Sequence, residues 1–508
     1  MNSNSLNGHR LRICLVSSEA VPYSKTGGLA DVAGALSREL AQIGHEVILV
    51  VPNHRNPNQP QDETDFDDAG LRVSVDIHGR RITARVLETN LTDSNCRVYL
   101  IDQPMYFERS GLYQTHGQDF PDNCERFSFF CRATLELLEA IEFEPHVVHC
   151  NDWQTGLLPA LVALDRHDYS MLRQAATVYT IHNLAFQGVF WKWDMPLTGL
   201  GWQHFNWEQM ESHDQLNLMK TGIVFATRVT TVSPTYAREI QTPDFGCGLD
   251  ELLAHRQDNL TGILNGIDGD EWNPATDPLL PENYDADSYR TGKSTCREEL
   301  LSRLKLPNEK STPVIGMVSR LTDQKGLDLL IDIADQLAAM NAQFVFLGTG
   351  DSRYEAALQK LNRMADNVSA TIGFNNKLAH LIEAGSDIFL MPSRYEPCGL
   401  NQMYSLAYGT LPIVRRTGGL ADSVIDANTQ NIANNTANGF VFDDYTPNAL
   451  LSTIERAVDT FSDRALWHKL LQNGMHRDWS WKNSAEQYQS VYWAARDEAL
   501  ATLGISAR

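Results

Sequence analysis

Apolar residues in this chain come in short runs separated by amphipathic stretches. The run LRICLVSS at 11–18 leads into a glycine-containing turn and then GGLADVAGALSRELAQIG, whose apolar positions recur at helical spacing up to Gly44. This pattern predicts a strand, a turn, a helix and a glycine cap. HEVILVVP at 45–52 predicts the next buried strand, and RVYLI, HVVHC and TVYTI repeat the signature between helical segments at 122–141 and 153–165. Strands that are apolar throughout are covered on both faces, so the β-α-β alternation predicts a mainly parallel sheet between helices. The acidic stretch QDETDFDDAG at 61–70 has no periodicity and reads as a solvated loop rather than a metal site.

After NGID at 265–268 comes WNPATDPLLPENYDADSYRTGK, rich in Pro and Asp and poor in apolar periodicity, which reads as an interdomain linker. Beyond it PVIGMVSR, QFVFLGTG, SATIGF, DIFLMPS and LPIVRR read as strands, each followed by a helical pattern, so a second parallel-sheet domain runs from about 290 to 480. The final segment is helical by the spacing of Tyr488, Val491, Tyr492 and Ala495. Spacing alone leaves open which domain it joins. The heptapeptide KTGGLAD at 25–31 recurs as RTGGLAD at 416–422, with six of seven positions shared, each time after an apolar strand and at the start of a helical pattern. The expected fold class is therefore α/β, with two related sheet domains that each present a glycine loop. Ligands of such sheets sit at the carboxyl ends of the strands, which makes a cleft between the domains the expected site.

The 508 residues suit two large α/β domains, or about three average ones at roughly 150 residues each. A hydrophobic content of 43% and a charged content of 21% belong to a folded, soluble chain. Sixty-four acidic against 42 basic residues give a net charge of −22. No broad basic field is available for nucleic acid or anionic lipid, while a neutral polymer, or a small anion in a local basic pocket, remains compatible. No run approaches the roughly 18 apolar residues of a membrane span, and MNSNSLNGHR lacks both a secretory apolar core and a transit-peptide composition. The eight cysteines form no CxxC pair, which points to a reducing compartment and away from disulfides or a zinc knuckle. The expected location is cytoplasmic, with neither nucleic-acid nor membrane partners.

A Gly-Gly pair opening a helix lets the backbone approach a ligand, and its N–H groups suit an anion such as a diphosphate. The same pattern serves equally as a tight strand-to-helix turn. Neither copy is GxGxxG or GxxxxGK[ST], so a dinucleotide fingerprint and a P-loop are unsupported. In VSRLTDQKGLDLL, Arg320 and Lys325 flank a turn after a strand. Two cations there can neutralise a leaving phosphate, or form an exposed basic pair without a ligand; the Thr417-Gly418-Gly419 turn in the same domain favours the first reading, and Lys25 adds a charge from the other domain. Glu396 follows a buried strand and precedes a helix, where a carboxylate can hold sugar hydroxyls, stabilise positive charge at a sugar carbon, or simply complement the helix dipole. Asp152 in HCNDW and His182 in TIHN interrupt apolar runs at two strand ends, although a lone histidine is commonly structural. Asp268-Gly269-Asp270 has the look of a metal-holding DxD, but its turn composition and lack of companion ligands speak for no metal.

Together, KTGGLADV, HNLAFQGVF, ILNGIDGDEWNP, SRLTDQKGLDLL, PSRYEPCGL and RRTGGLADSV resemble the bacterial glycogen synthases and plant starch synthases that use ADP-glucose, in order from about residue 11 to 490. The resemblance implies a GT-B fold of two facing Rossmann-like domains with a deep cleft. Residues 1–10 would be a disordered extension, 11–268 the acceptor and catalytic domain, 269–292 the linker, 293–480 the nucleotide-sugar domain, and 481–508 a helix returning to the first domain. It implies glucose transfer from ADP-glucose to the non-reducing 4-hydroxyl of glycogen or another α-1,4-glucan, with retention and without cofactor or metal. Lys25, Gly27 and Gly28 would meet the donor, Arg320 and Lys325 would grip the diphosphate, and Thr417, Gly418 and Gly419 would offer it backbone donors. Glu396 and His182 would serve at the donor glucose, with Cys398, Gly399 and Leu400 of the Glu396 motif also binding substrate; Asp152 would contact sugar hydroxyls near the acceptor, and Asn265 would line the cleft.

Two positions depart from the family pattern. Tyr404 stands where related transferases carry a second Glu, and Phe374-Asn375 stands where many bacterial members have Tyr-His, so Phe374 keeps an aromatic face for adenine without the hydroxyl. Rival readings are the same fold with UDP-glucose or a small acceptor, and a silent glucan-binding protein. The presence of Lys25, His182, Arg320, Lys325 and Glu396 disfavours the silent reading, and a pyridoxal-dependent phosphorylase is disfavoured by length and lysine context. Oligomeric state is not written in the sequence.

Overall fold

A computed structural model describes residues 10–57, 66–115 and 117–505. Residues 1–9 of the expected N-terminal extension, and 61–65 of the acidic stretch, lie outside the described residues. The chain forms two compact units. Unit 1 comprises residues up to 232, 237–265 and 481 onward; unit 2 comprises 233–236 and 266–480.

Unit 1 begins with β1 (Arg12–Val16), β2 (Glu46–Pro52), β3 (Asp67–Ile77), β4 (Arg80–Asn90) and β5 (Arg97–Asp102). A two-residue hairpin follows, β6 (Gln114–Thr115) with β7 (Gln118–Asp119), and then β8 (Val147–Asn151) and β9 (Ala176–Ile181). A small separate sheet consists of β10 (Val189–Trp191), β11 (Glu211–Ser212) and β12 (Gln215–Asn217), after which β13 (Arg228–Thr231) and β14 (Leu260–Gly262) return to the main one. The nine-stranded sheet has the order β14-β13-β9-β8-β1-β2-β5-β4-β3. It is parallel from β14 to β5, and β4 and β3 close it as an antiparallel edge.

That edge corrects the sequence reading. Residues 67–70 of the supposed acidic loop open β3, which pairs with β4 through an irregularity between Asp68 and Arg72. Both strands alternate exposed and buried positions, as a sheet edge with one wet face must, and a search for continuous apolar runs passes over them.

Unit 2 holds an all-parallel sheet of β15 (Val314–Val318), β16 (Gln343–Gly348), β17 (Val368–Ile372), β18 (Ile388–Met391), β19 (Leu411–Arg415) and β20 (Phe440–Phe442). Its order is β17-β16-β15-β18-β19-β20. The direction of winding reverses between β15 and β18 here, and between β1 and β8 in unit 1. At such a reversal the loops leaving the two strands diverge and open a crevice at their carboxyl ends.

Helix Trp481–Thr502 belongs to unit 1, where Trp481, Tyr488, Tyr492 and Ala495 join the core built on β1, β2 and the helix Gly28–Gln42. Tyr492 Oη is 2.9 Å from Nδ1 of the buried His149, whose Nε2 lies 2.6 Å from Thr180 Oγ1. Among the described residues no helix is long and apolar enough to cross a membrane.

Residues 269–292 are not a linker. They fold within unit 2 and supply part of its interior. Trp272 stacks on both His380, at 3.8 Å between ring centroids, and Tyr404, at 4.0 Å. Asp277, fully buried, takes hydrogen bonds from Tyr408 Oη at 2.7 Å and from the Leu279 N–H, and lies 2.8 Å from His380 Nδ1. Burial opposes charge on Asp277, but these partners outweigh it and hold the carboxyl below its ordinary range. Pro and Asp density marks irregular backbone, and it says nothing about whether that backbone is anchored.

Replacing Trp272 by Ala removes both stacked contacts and is expected to cost about 3 kcal/mol, seen as a lower urea midpoint, with Trp272→Phe losing less. An Ala variant as stable as the parent would show that the segment contributes nothing to unit 2.

Candidate functional site

In unit 1 the sequence-predicted residues converge on the ends of three adjacent strands, β1, β8 and β9. Asp152 follows β8 with φ 56° and ψ −177°, a conformation that side-chain-bearing residues adopt only when their surroundings hold them there. The holding contacts are the backbone N–H groups of His182, at 2.7 Å from Oδ1, and Asn183. Burial pushes the Asp152 carboxyl up to about 7, against the pull of those two N–H groups and with a further push from Glu19.

His182 follows β9, and its Nε2 lies 2.9 Å from Asn151 Oδ1. The Asn151 Nδ2 donates to Val16 O, so the network assigns Oδ1 as acceptor and Nε2 as the protonated nitrogen of a neutral ring. Desolvation drives the imidazole down to about 3, so it is uncharged at neutral pH.

The loop after β1 carries Lys25, Gly27 and Gly28. Helix Gly28–Gln42 starts directly from it, and a Cβ at Gly27 would meet nothing within 4 Å. Packing does not demand glycine there, and the surface above it is open to a close-approaching ligand. Lys25 Nζ is exposed and pairs with Asp31 at 2.7 Å.

Sequence reasoning missed the residue that organises this loop. Glu19, buried at 3% exposure, accepts hydrogen bonds from the Thr26 N–H and Oγ1, the Gly27 N–H and Tyr113 Oη. Burial raises its carboxyl above the ordinary range despite these donors. The available signal was a lone charge directly after an apolar strand and ahead of the glycine pair. Asn265 is buried at the last residue of its unit 1 segment, and its Oδ1 has no partner among the described residues.

In unit 2 the candidates again leave neighbouring strands. Arg320 and Lys325 follow β15, Glu396 follows β18 and Thr417 follows β19. Lys325 Nζ is 2.6 Å from Glu396 Oε2, which also accepts from Ser393 Oγ at 3.0 Å. Both partners are largely buried. Arg320 is exposed and has no ion pair among the described residues. Gly326 follows Lys325 at φ 72°, and a Cβ there would lie 2.0 Å from Pro392 O, so glycine is what lets the Lys325 turn close onto the end of β18.

The second glycine pair does a different job from the first. A Cβ at Gly418 would sit 1.9 Å from Glu396 O, and one at Gly419 would sit 2.0 Å from Cys398 O. The Gly419 N–H donates to the carbonyls of Glu396 and Pro397. Gly419 is therefore corrected from ligand donor to packing residue: the absence of side chains seats the 417–419 turn on the segment that carries Glu396. Cys398 is buried, and Gln402 Nε2 donates to the carbonyls of Cys398 and Gly399, with Leu400 directly before the helix Asn401–Ala407.

Phe374 is 90% exposed between β17 and helix Asn376–Gly385, while Asn375 caps that helix by accepting from Leu378 N at 3.0 Å. Asp268, of the DxD-like triplet, accepts from the Asp270 N–H in a local turn. Among the described residues no group of three or more His, Cys, Asp or Glu side chains stands together as metal ligands would. Each unit thus presents a carboxylate, a nitrogen base or cation, and a glycine turn at a strand reversal, a set suited to holding sugar hydroxyls and phosphate charge.

Comparison with known proteins extends this picture along the chain. Residues 12–255 match the family model described as starch synthase catalytic domain, and 300–472 match glycosyl transferases group 1. A glycogen synthase of Anaeromyxobacter dehalogenans is 48% identical over 490 residues, covering 95% of this chain and 99% of the relative. Glycogen synthase 2 of Geobacter sulfurreducens is 45% identical over 491 residues, covering 96% and 99%. Among solved structures, the catalytic domain of starch synthase IV from Arabidopsis thaliana, bound to ADP and acarbose, superposes with TM-score 0.88 at 32% identity over 96% of this chain and 100% of that one. A sucrose-phosphate synthase from Thermosynechococcus elongatus, at TM-score 0.58 and 19% identity over 96% and 99% of the two chains, shares the fold.

The Asp152 carboxyl generates a pH test. Between its ordinary value of 3.8 and its folded value of about 7, the folded protein keeps a proton that the unfolded chain has released. Stability is therefore lost as pH rises through that window and levels off above it. Asp152→Asn keeps an acceptor oxygen for the two N–H groups and has no proton to lose, so the difference in unfolding free energy between variant and parent should grow in the variant's favour from pH 4 to pH 7. Parallel stability curves for the two proteins would rule out a raised carboxyl at this position.

Proposed function

The chain belongs to the glycogen and starch synthase family of glycosyltransferases and has its GT-B fold of two Rossmann-like domains, and from that premise we propose that it transfers glucose from ADP-glucose to the non-reducing 4-hydroxyl of an α-1,4-glucan with retention of configuration. The observation that carries the site assignment is the Lys325–Glu396 pair at 2.6 Å, with Arg320, which has no ion pair among the described residues, following the same strand as Lys325. The ADP in the starch synthase IV structure supports the choice of nucleotide.

In this reading Arg320 and Lys325 take the donor diphosphate, and Thr417 and Gly418 border it. Glu396, with Cys398, Gly399 and Leu400 beside it, receives the donor glucose. As the bond from the anomeric carbon to the diphosphate oxygen breaks, its electron pair leaves with the diphosphate. The two cations meet the growing negative charge and the Glu396 carboxylate meets the positive charge at carbon. The acceptor 4-oxygen bonds to the same face of that carbon and its proton passes to the leaving phosphate oxygen.

Unit 1 contributes Lys25, Gly27 and Gly28 to the donor, the neutral His182 ring to the donor glucose, Asp152 to acceptor hydroxyls and Asn265 to the lining. Phe374 offers adenine an exposed face. Phosphate charge is handled by Arg, Lys and backbone N–H groups without a resident metal or cofactor, and the eight free thiols suit a reducing cytoplasm.

Labelled glucose should pass from ADP-glucose to glycogen with a chelator present, and more slowly from UDP-glucose. Equal use of both donors would remove the adenine preference assigned to Phe374, and incorporation from neither by a folded protein would end the synthase reading. Glu396→Gln should lower kcat by about 100-fold or more, the scale of losing one preorganised electrostatic contact. Arg320→Ala should lower kcat as well as raise donor KM, since the guanidinium meets both the bound diphosphate and the charge that grows on it. Near-normal turnover in both variants would place the chemistry elsewhere.

A further inference from the structure

Arg126 lies on the helix Asn123–Ala140 of unit 1 and is fully buried, a charged side chain that the proposed reaction leaves unused. No carboxylate forms an ion pair with it among the described residues, and nearby Asp122 is taken by Arg109 at 2.6 Å. Its guanidinium donates instead to three oxygens: Tyr106 O at 2.7 Å, Leu112 O at 3.0 Å and Asn123 Oδ1 at 2.6 Å. The rings of Phe107, Phe120 and Phe127 stand 5.1–5.7 Å from its Cζ, a range in which an aromatic face attracts a cation. Burial pulls the guanidinium down to about 10, which leaves it charged at neutral pH.

Burying a guanidinium costs far more than burying an apolar side chain of its size, so the need to fill space does not account for it. The oxygens it holds do. Asn123, its amide oriented by Arg126, donates through Nδ2 to Tyr113 O at 3.0 Å. The guanidinium thereby fixes the carbonyls of Leu112 and Tyr113, one on each side of the Tyr113 side chain. Tyr113 Oη lies 2.7 Å from Ser18 Oγ and donates to Glu19 Oε1 at 3.2 Å. Glu19 is the carboxyl that takes the Thr26 and Gly27 N–H groups. Polar contacts and one stretch of backbone thus connect Arg126 to the loop that carries Lys25, Gly27 and Gly28.

We propose that Arg126 is a positioning residue for the transfer reaction: it holds the backbone on both sides of Tyr113, and through the Tyr113 phenol and Glu19 it sets the place of the glycine loop. A guanidinium suits this task because its planar fork addresses three acceptors in fixed directions, which an ammonium on a flexible stem does not. Burial and the Glu19 charge keep the Tyr113 phenol protonated, so its O–H is always available to the segment it holds. A positioning group displaced by about 1 Å can cost on the order of a hundredfold in rate, even from far outside the chemistry. Arg126 therefore bears on turnover without touching either substrate.

The proposal rests on the reading that this loop meets the donor, and Lys25→Ala tests that reading by itself. Full-length Arg126→Lys, which keeps the charge and loses the fork, and Tyr113→Phe, which keeps the ring and loses the O–H, are compared with the parent for kcat, both KM values and urea midpoint. Each should lower kcat/KM for the donor by about tenfold or more, the scale of a misplaced positioning group, with KM for glycogen unchanged. The double variant should be no worse than the worse single one, since both act along one path. Asn123→Ser, which cuts the tie to Tyr113 O and spares the guanidinium, should show the same split and carries the test if Arg126→Lys does not fold. A lowered urea midpoint with parental donor kinetics is the mark of a merely structural arginine and would overturn the proposal. So would losses that multiply in the double variant, or KM values for donor and glycogen that rise together. Parental kinetics in Lys25→Ala would take the loop out of the reaction and the proposal with it, whereas a defect there beside normal Arg126→Lys kinetics would defeat the proposal alone.

Discussion

The contact between the Lys325 ammonium and the Glu396 carboxylate sets the terms for much of unit 2. Two opposite charges largely removed from water hold each other, and taking away either leaves the other stranded at a cost of roughly 3–5 kcal/mol. To bring them together, the turn after β15 must close on the end of β18, which requires Gly326 against the Pro392 carbonyl. The turn after β19 must then lie on the Glu396 backbone, which requires Gly418 and Gly419. Three glycines and three adjacent parallel strands thus serve one ion pair, and Arg320, without an ion pair among the described residues, follows the first of those strands.

Unit 1 treats its carboxyl in the opposite way. Asp152 is held by backbone N–H groups, with no cation paired to it among the described residues, and burial lifts it toward neutrality. Its neighbour His182 is kept neutral by the same loss of water. Unit 2 therefore presents a fixed charge pair, suited to a diphosphate, while Asp152 and His182 of unit 1 present a partly ionised carboxyl and a neutral ring, suited to hydroxyls. The chemistry proposed above needs both kinds.

Ten of the twenty strands formed by the described residues were legible, because a parallel sheet writes its buried members as plain apolar runs, as in VILVV and VFLG. The β3–β4 edge was not, because a half-wet strand alternates and its first residues, Asp67 and Asp68, are acidic. Placing Asp152, His182, Arg320, Lys325 and Glu396 at strand ends followed from polar residues terminating apolar runs. The partner of His182 could not be read, because Asn151 reaches it through a contact that only the pairing of β8 with β9 creates, and Lys325 meets Glu396 only because β15 and β18 are neighbours. The shared TGGLAD hexapeptide shows the limit most clearly. One copy leaves Gly27 beneath open space, while the other presses its counterpart Gly418 onto the Glu396 carbonyl. Identical letters in identical local context took their meaning from what lies across from them.

The place of the last helix has a consequence for how the molecule comes into being. Trp481, Tyr488 and Tyr492 belong to the core of unit 1, yet unit 2 occupies nearly all the sequence between Asn265 and them. A ribosome therefore finishes the polypeptide of unit 2 while the opening unit still lacks a wall of its interior. Domains that emerge early usually complete their folding early. Here unit 1, begun before unit 2, is closed after it, and the apolar side of β1 and the helix Gly28–Gln42 waits for Trp481–Thr502.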